Sequence, residues 1–313
     1  MVAPSTSSGH SVNLRGIVLM VVAMAGFAVE DAMIKAASVT VPVGQIMLLI
    51  AGAGFVVFAL WAVISGQPLF QRLVISGPLV GRTLSEMVGS GGILMGLALA
   101  PLSLVSAILQ ASPIMVVAAA AIFLGEKVGW RRWMAIIVGF GGVLMIIRPG
   151  SADFDPNVLW AVVGVIGMSA RDIFSRRMDR ALHTTVVATW GYVGVILLSI
   201  GMMAVSGGPV RPDSLAWTQI LIAMVIGFGA YWAIIEATRA GDVSVITPFR
   251  YTRLIFALVL GFAMFSERPD MWTILGAILV IGSGLYTLYR ERLRKVEARS
   301  TVTATIPAPE AHP

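Results

Sequence analysis

Glu30-Asp31-Ala32-Met33-Ile34-Lys35 interrupts an apolar segment with charge, and Arg171-Asp172-Ile173-Phe174-Ser175-Arg176 does the same 141 residues later. The same offset carries Gly26 to Gly167, Ser65-Gly66 to Ser206-Gly207, Pro68 to Pro209, Ser103 to Ser244, Glu126-Lys127 to Glu267-Arg268 and Gly141 to Gly282, with no gap at any point. An offset held constant over so much chain marks two copies of one unit, and a repeat has to be recognised before a fold is assigned. Each copy contains five apolar runs long enough to cross a bilayer. Because five is odd, the second copy enters the membrane from the opposite side, which predicts an all-α membrane protein of ten spans in two inverted-topology repeats, the arrangement of many secondary transporters.

Composition agrees. The chain of 313 residues is 58% hydrophobic and 12% charged, more apolar surface than a water-soluble domain of that size can hide. With no Cys and only His10, His183 and His312, disulfides, thiolate chemistry and histidine metal clusters are excluded, and no metal, cofactor or catalytic set is expected. The net charge of +6 collects in short loops and in the C-terminal tail, a membrane-topology pattern, so nucleic acid is not an expected partner. Residues 1–12 lack a cationic leader, so the first apolar run is read as a retained helix.

Spans are predicted at about 14–34, 43–64, 77–98, 102–124, 131–148, 157–175, 184–205, 215–238, 243–265 and 271–289. Breaks fall at Val41-Pro42, Ala100-Pro101, Arg148-Pro149-Gly150, Gly207-Gly208-Pro209 and Arg268-Pro269. Repeat 1 is thus 14–149 and repeat 2 is 155–290, flanked by unstructured cytoplasmic segments, 1–13 and a basic 291–313. With the N-terminus in the cytoplasm, 14 Lys and Arg residues, Arg72, Lys127 and Arg180 among them, fall on that side against 4 on the other. The bias puts both termini in the cytoplasm. Trp61, Trp130, Trp133, Trp160, Trp217 and Trp272 lie near span ends, where the indole prefers the interface.

Charges inside spans each cost about 2.5–3.5 kcal/mol and require a partner or a wet cavity. Arg82 and Glu86, four apart, share a helix face and can neutralise each other, as a structural pair or as part of a gate. Arg250 and Arg253 have no acid on their own helix before Glu267. They call for Glu86, Glu236 or a substrate anion, with snorkelling to the surface as the competing reading. Arg82, Glu86, Arg171, Asp172, Glu236, Arg250 and Arg253 fall in the cytoplasmic half and form a candidate ion-pair gate. Asp31, the counterpart of Asp172, is placed near the outer face, where it joins Lys35, relays protons or is simply solvated. Glu126 and Glu267 are read as carboxylates that favour the dipole of the following helix. Gly77–Gly81 and Gly92–Gly96 allow close helix contact. Among the deep aromatic residues, Tyr231, Trp232, Phe249 and Tyr251 are candidate walls for a ring beside Arg250 and Arg253. No GxxxxGK[ST] motif occurs, so transport is not driven by ATP here.

Gln110-Ala111-Ser112-Pro113, Phe123-Leu124-Gly125-Glu126 and Gly139 to Pro149, with Ile246-Thr247-Pro248-Phe249-Arg250-Tyr251 and Phe265-Ser266-Glu267-Arg268-Pro269 in the second half, resemble the EamA-type drug/metabolite transporters. The resemblance covers about residues 14–290. It implies a central cavity lined by the first, third, fourth, sixth, eighth and ninth spans, alternating access for small metabolites, and a multi-pass place in the bacterial inner membrane with the lipid bilayer as its surroundings; a homodimer is left open. Members export amino acids or take up riboflavin or S-adenosylmethionine. Met24 to Lys35 and Ser169-Ala170-Arg171-Asp172 look closest to the vitamin and cofactor uptake members, so uptake of a solute such as riboflavin is expected. Amino-acid or drug export is the alternative within transport, and a structural or sensory membrane protein the alternative outside it. Ser266 stands where repeat 1 has Gly125, and Leu254 where it has Pro113, so roles do not copy between repeats at those positions.

Overall fold

A computed structural model describes residues 7–70, 76–126, 128–152, 154–179, 181–240 and 243–305, with side chains between 13 and 290 except those of 243 and 244. Arg72, Lys127 and Arg180 lie outside the described residues, as do the side chains of the basic tail. The helices are α1 (Ser7–Ala37), α2 (Val43–Ile64), α3 (Gly77–Leu99), α4 (Leu102–Leu109), α5 (Ser112–Phe123), α6 (Trp130–Ile147), α7 (Leu159–Arg176), α8 (Thr184–Val205), α9 (Ser214–Ala240), α10 (Val243–Ile246), α11 (Thr252–Phe265) and α12 (Met271–Thr305). The first and last are thus helical beyond the expected boundaries at 14 and 290.

Among the described residues, 9 helical segments are long and apolar enough to cross a membrane. The third expected span, 77–98, is not among them; it coincides with α3, which is helical for 23 residues. Arg82, Glu86 and its many Gly and Ser residues lower the hydropathy of α3, which packs on α7 and α8 and carries Val80, Leu84 and Val88 on an exposed face. Two expected spans are broken. Pro113 opens α5 after a break at Gln110-Ala111, and Pro248 turns residues 247–251 into a 3₁₀ segment between α10 and α11. Proline has no N–H to give and clashes with the preceding turn, so neither helix can run straight through. Gln110 Nε2 donates to the Tyr251 carbonyl at 3.0 Å, a buried bond that joins the two breaks.

Packing follows the repeat. The pairing of α1 with α9 is matched by that of α7 with α3, while α2 packs on α8 and α6 on α12. Residue contacts obey the 141-residue offset as well. Gly26 lies against Ala230, and its counterpart Gly167 lies against Gly89, the counterpart of Ala230. Helix association in lipid has no hydrophobic drive and depends on small residues that let backbones approach. The buried face of α9 accordingly reads Ala216, Ile220, Ala223, Gly227, Ala230, Ala233 and Ala237. On α3, Gly92 meets Gly164 and Gly96 meets Ala161, but Gly77 faces open space, so only one of the two expected small-residue pairs makes its contact. Outward faces carry exposed Val, Leu, Ile and Phe, and the six end-of-span tryptophans are exposed, as lipid contact requires.

The glutamates after α5 and α11 do something other than expected. Gly125 (φ 68°) and Ser266 (φ 54°) both take the left-handed conformation, and the following amides, Glu126 N and Glu267 N, bond back to Ala120 O and Gly261 O, a Schellman-type helix stop. The Glu267 carboxylate then accepts from Leu102 N at 2.7 Å and Ser103 N at 2.8 Å, the first turn of α4 in the other repeat. It caps a helix N-terminus 165 residues away and not the helix that follows it. That following helix, α12, is capped by Asp270, which accepts from Thr273 N at 2.9 Å and pairs with Arg148 at 2.5 Å. Slight desolvation pushes the Asp270 carboxyl up, but those hydrogen bonds and the guanidinium outweigh it and hold it below the usual carboxylate range.

A Cβ at Gly167 would sit 2.3 Å from Gly89 N, backbone that cannot step aside, whereas Gly52 has open space. Gly167→Ala is expected to destabilise the protein by about 1–3 kcal/mol and Gly52→Ala to leave the melting temperature in detergent unchanged or slightly raised; equal melting temperatures for the two variants would contradict the close α3–α7 contact.

Candidate functional site

Two charged clusters sit where α1 meets α11 and where α3 meets α7. In the first, Arg253 on the opening turn of α11 donates to Asp31 Oδ2 through Nη2 at 2.6 Å and Nε at 3.1 Å, and its guanidinium lies 5.3 Å from the Phe27 ring centre. The Asp31 side chain is 5% exposed and that of Arg253 24%. Asp31 is therefore not a solvated acid, and it is bonded to Arg253 and not to Lys35. The partner of Arg253 is this carboxylate and not Glu86 or Glu236. A charge at that depth is tolerated because the guanidinium and the ring close over it.

The second cluster joins α3 to α7. Glu86 Oε2 pairs with Arg82 at 3.2 Å one turn earlier, and Glu86 Oε1 pairs with Arg171 at 3.2 Å. Arg171 also holds Asp172 through Nη2 at 2.9 Å. Arg82 reaches the Val187 carbonyl on α8 at 3.5 Å. The Asp172 side chain is 42% exposed against 16% for Glu86, so the cluster grades from a wet rim to a dry interior. Arg250 lies among Asp172, Arg171 and Arg253. It is exposed and makes no ion pair or hydrogen bond among the described residues. Glu236 is apart from this group: it meets Arg239, one turn on, at 3.7 Å on an exposed face.

Tyr231, one member of the expected aromatic cage, joins a different group of rings. Tyr231 stands edge-on to Phe58, at 6.2 Å, and Phe58 stacks on Tyr192 at 5.7 Å, making a row of rings across α2, α8 and α9. Trp232 points outward and is 61% exposed. Phe249 packs on the cluster of Met20, Ala23, Met24 and Ala237. Tyr251 is buried with its hydroxyl against Gly284 of α12 and no hydrogen-bond partner for it among the described residues. Neighbouring positions on a 3₁₀ turn point in different directions, so a sequence neighbour of Arg250 need not share its surroundings. Trp190, another deep aromatic residue, instead clasps the loop after α2 through Nε1 to the Leu69 carbonyl at 3.0 Å.

One partly buried acid was not singled out as a candidate by the sequence. Glu30 lies against α9, where a Cβ at Gly227 would come within 2.6 Å of its carboxyl carbon. It makes no hydrogen bond or ion pair among the described residues, and Asp31 and Arg253 are its charged neighbours. Subtracting the offset from Gly227 gives Glu86, and adding it to Glu30 gives Arg171. One repeat interface thus carries the Arg171–Glu86 pair, and the equivalent place in the other carries a lone carboxylate on a glycine. Glu30 and Arg250 are the two ionisable groups of the region left without an opposite charge in contact, one acidic and one basic.

The two ends of the bundle are tied differently. Lys35 Nζ donates to the Ala100 carbonyl at 2.7 Å and the Leu97 carbonyl at 3.3 Å, above the Phe265 ring. Its counterpart Arg176 pairs with Glu126 at 2.8 Å, with both side chains about half exposed at 48% and 51%. The first tie is sheltered and joins α1 to the α3–α4 junction, which Glu267 also grips.

Comparison with known proteins gives a consistent picture. The profile of the EamA-like transporter family matches residues 14–148 and 156–289, one match per repeat. The chain is 24% identical over 197 residues to the S-adenosylmethionine uptake transporter of Rickettsia felis, an alignment that spans 63% of this chain and 66% of that protein. It is 26% identical over 215 residues to the riboflavin transporter of Rhizobium johnstonii, covering 68% and 70%. It is also 25% identical over 269 residues to a pseudopaline exporter of Pseudomonas aeruginosa, covering 85% and 93%. A protein of known crystal structure, 19% identical, superposes with a TM-score of 0.58 over 89% of this chain and 98% of its own, a likeness of fold.

Asp31→Asn would leave the Arg253 guanidinium without its carboxylate and is expected to cost up to about 3 kcal/mol, with recovery of part of that loss in Asp31→Asn/Arg253→Gln. Arg239→Ala, on the exposed Glu236 pair, should change stability by no more than about 0.5 kcal/mol. Chemical or thermal unfolding in detergent decides between these; an Asp31→Asn protein as stable as the parent would remove the pair from its structural role.

Proposed function

The chain belongs to the EamA-like transporter family, and from that premise we propose a secondary transporter that moves a small metabolite across the bacterial inner membrane by alternating access. The protein is a multi-pass membrane transporter and not an enzyme. The finer reading has α3 as a tenth span, the two repeats in inverted topology and both termini in the cytoplasm. Exchange-related packing of α1 on α9 and α7 on α3 supports it, as does the charge bias between loops. The sheltered tie of Lys35 and Glu267 closes one end, and the wet rim at Arg250 and Asp172 leaves the other accessible, the arrangement of an inward-open state.

The solute class rests on one observation, the coexistence of an uncompensated carboxylate at Glu30 and an uncompensated guanidinium at Arg250 on the same charged region. An ionisable side chain on a membrane-spanning helix is by default a functional-site candidate. A metabolite bearing both signs, with a cationic group for Glu30 and a carboxylate for Arg250, would supply what each lacks. Uptake of a cofactor-type solute of the S-adenosylmethionine kind satisfies this, and efflux of an amino-acid-derived solute satisfies the same chemistry in the other direction. The row Phe58, Tyr192 and Tyr231 favours a second reading, a flat uncharged ring system such as riboflavin, held by stacking.

Purified protein in liposomes should show saturable flux of labelled S-adenosylmethionine. Glu30→Gln and Arg250→Gln should each lower it at least tenfold, about 1.4 kcal/mol or more of binding free energy, at equal protein content. Gly227→Ala, which pushes the Glu30 carboxyl aside, should lower flux without unfolding the bundle. Flux of riboflavin that is untouched by Glu30→Gln would transfer the assignment to the aromatic row.

A further inference from the structure

Away from the charged clusters, α6 and α12 enclose a groove on the outer surface of the bundle. It holds about 550 Å³ and is lined by Met134, Ala135, Val138, Ile278, Leu279 and Gly282, with Trp130, Arg131 and Tyr286 toward one end. At that end it runs into a smaller hollow of about 180 Å³ between the opening turn of α6 and Arg290 of α12, bordered by Arg131 and Arg132. The two share Trp130 and Arg131, so an apolar trough leads directly to a cationic mouth. Arg131 lies 5.5 Å from the Trp130 ring centre, which holds the guanidinium at the mouth and keeps it from trailing into water.

We propose that this groove binds one anionic phospholipid, its phosphate at Arg131 and Arg290 and an acyl chain along the α6–α12 trough. The repeat supplies a comparison within the same molecule. The α6–α12 pair is its own counterpart under the 141-residue offset, so each position along this groove has a counterpart on the same pair, toward its other end. There the counterparts of Arg131, Arg132 and Arg290 are Trp272, Thr273 and Pro149, and nearby Arg148 is bonded to Asp270. The cationic mouth is therefore not a by-product of helix packing; it marks one leaflet. Charge at the mouth selects an anionic over a zwitterionic headgroup, since a guanidinium pairs with phosphate in a fork and is not offset by a choline. The apolar floor selects a lipid over a free phosphate. An occupant would also cover the exposed faces of Ile278 and Met134, which are 59% and 50% accessible.

The test uses the full-length protein in a neutral maltoside detergent, with phosphatidylglycerol and phosphatidylcholine of identical chains added in turn and melting followed in each. Phosphatidylglycerol should raise the melting temperature by about 3 °C or more, and phosphatidylcholine or glycerol phosphate should not. Arg131→Gln/Arg290→Gln should weaken the phosphatidylglycerol response at least tenfold in concentration. Gly282→Leu, at a position with open space beyond its Cα, should abolish it with both arginines intact, because the chain then has no trough. Equal responses to the two lipids, or an unchanged response in either variant, would overturn the proposal. So would a dimer that dissociates on Gly282→Leu while the lipid response persists, since the groove would then belong to a second copy of the chain.

Discussion

A bilayer core solvates charge poorly, so an ionised side chain placed there is costly unless the protein pairs it, and this constraint organises the bundle. Asp31 is held by Arg253 at 2.6 Å, and Glu86 is shared between Arg82 and Arg171 at 3.2 Å each. The Asp31–Arg253 and Glu86–Arg171 pairs join a helix of one repeat to a helix of the other. Charge pairing therefore fastens the two halves together at the same depth at which small residues let their backbones touch. The desolvation cost of each pair is large, and its value lies in fixing which helix meets which.

Symmetry and its failures carry different information. Where the two repeats agree, as in Gly26 on Ala230 against Gly167 on Gly89, the residues serve packing. Where they disagree, the chemistry is specific to one half. Glu30 on Gly227 against Arg171 on Glu86 is one such place. Lys35 on backbone carbonyls against Arg176 on Glu126 is another. The arginines at one end of the α6–α12 groove are a third. A duplicated fold supplies its own reference, and each departure reads as a local change of task.

Much of this was legible in the sequence because it depends on local or periodic features. The duplication, the segment boundaries, the interfacial tryptophans and the Arg82–Glu86 pair all follow from spacing along the chain. Depth across the bundle does not. Asp31, read as the inverted counterpart of Asp172, was given Lys35 or water for company, yet the break at Pro248 delays α11 until Thr252 and brings Arg253 to it. Trp232 and Phe249 were grouped with Arg250 as deep aromatic residues, yet Trp232 faces outward from α9 and the 3₁₀ turn over 247–251 seats Phe249 on the Met20–Ala237 cluster. Glu30 escaped notice because an acid beside an acid draws no pairing rule. Laying the repeats over each other would have found it, since the offset sets Arg171 in its place and removes the partner at Gly227.

Gln110 and Tyr251 are separated by the repeat offset itself, and two equivalent positions can touch only where the axis relating them passes through the molecule. The amide–carbonyl bond between them, 3.0 Å long and shielded from water, therefore marks a stationary point. If one half swivels against the other about that axis, the extremities of the bundle sweep the longest arcs and this bond stays put. The two interrupted helices meet there, so on such a swivel the proline breaks would serve as its fulcrum.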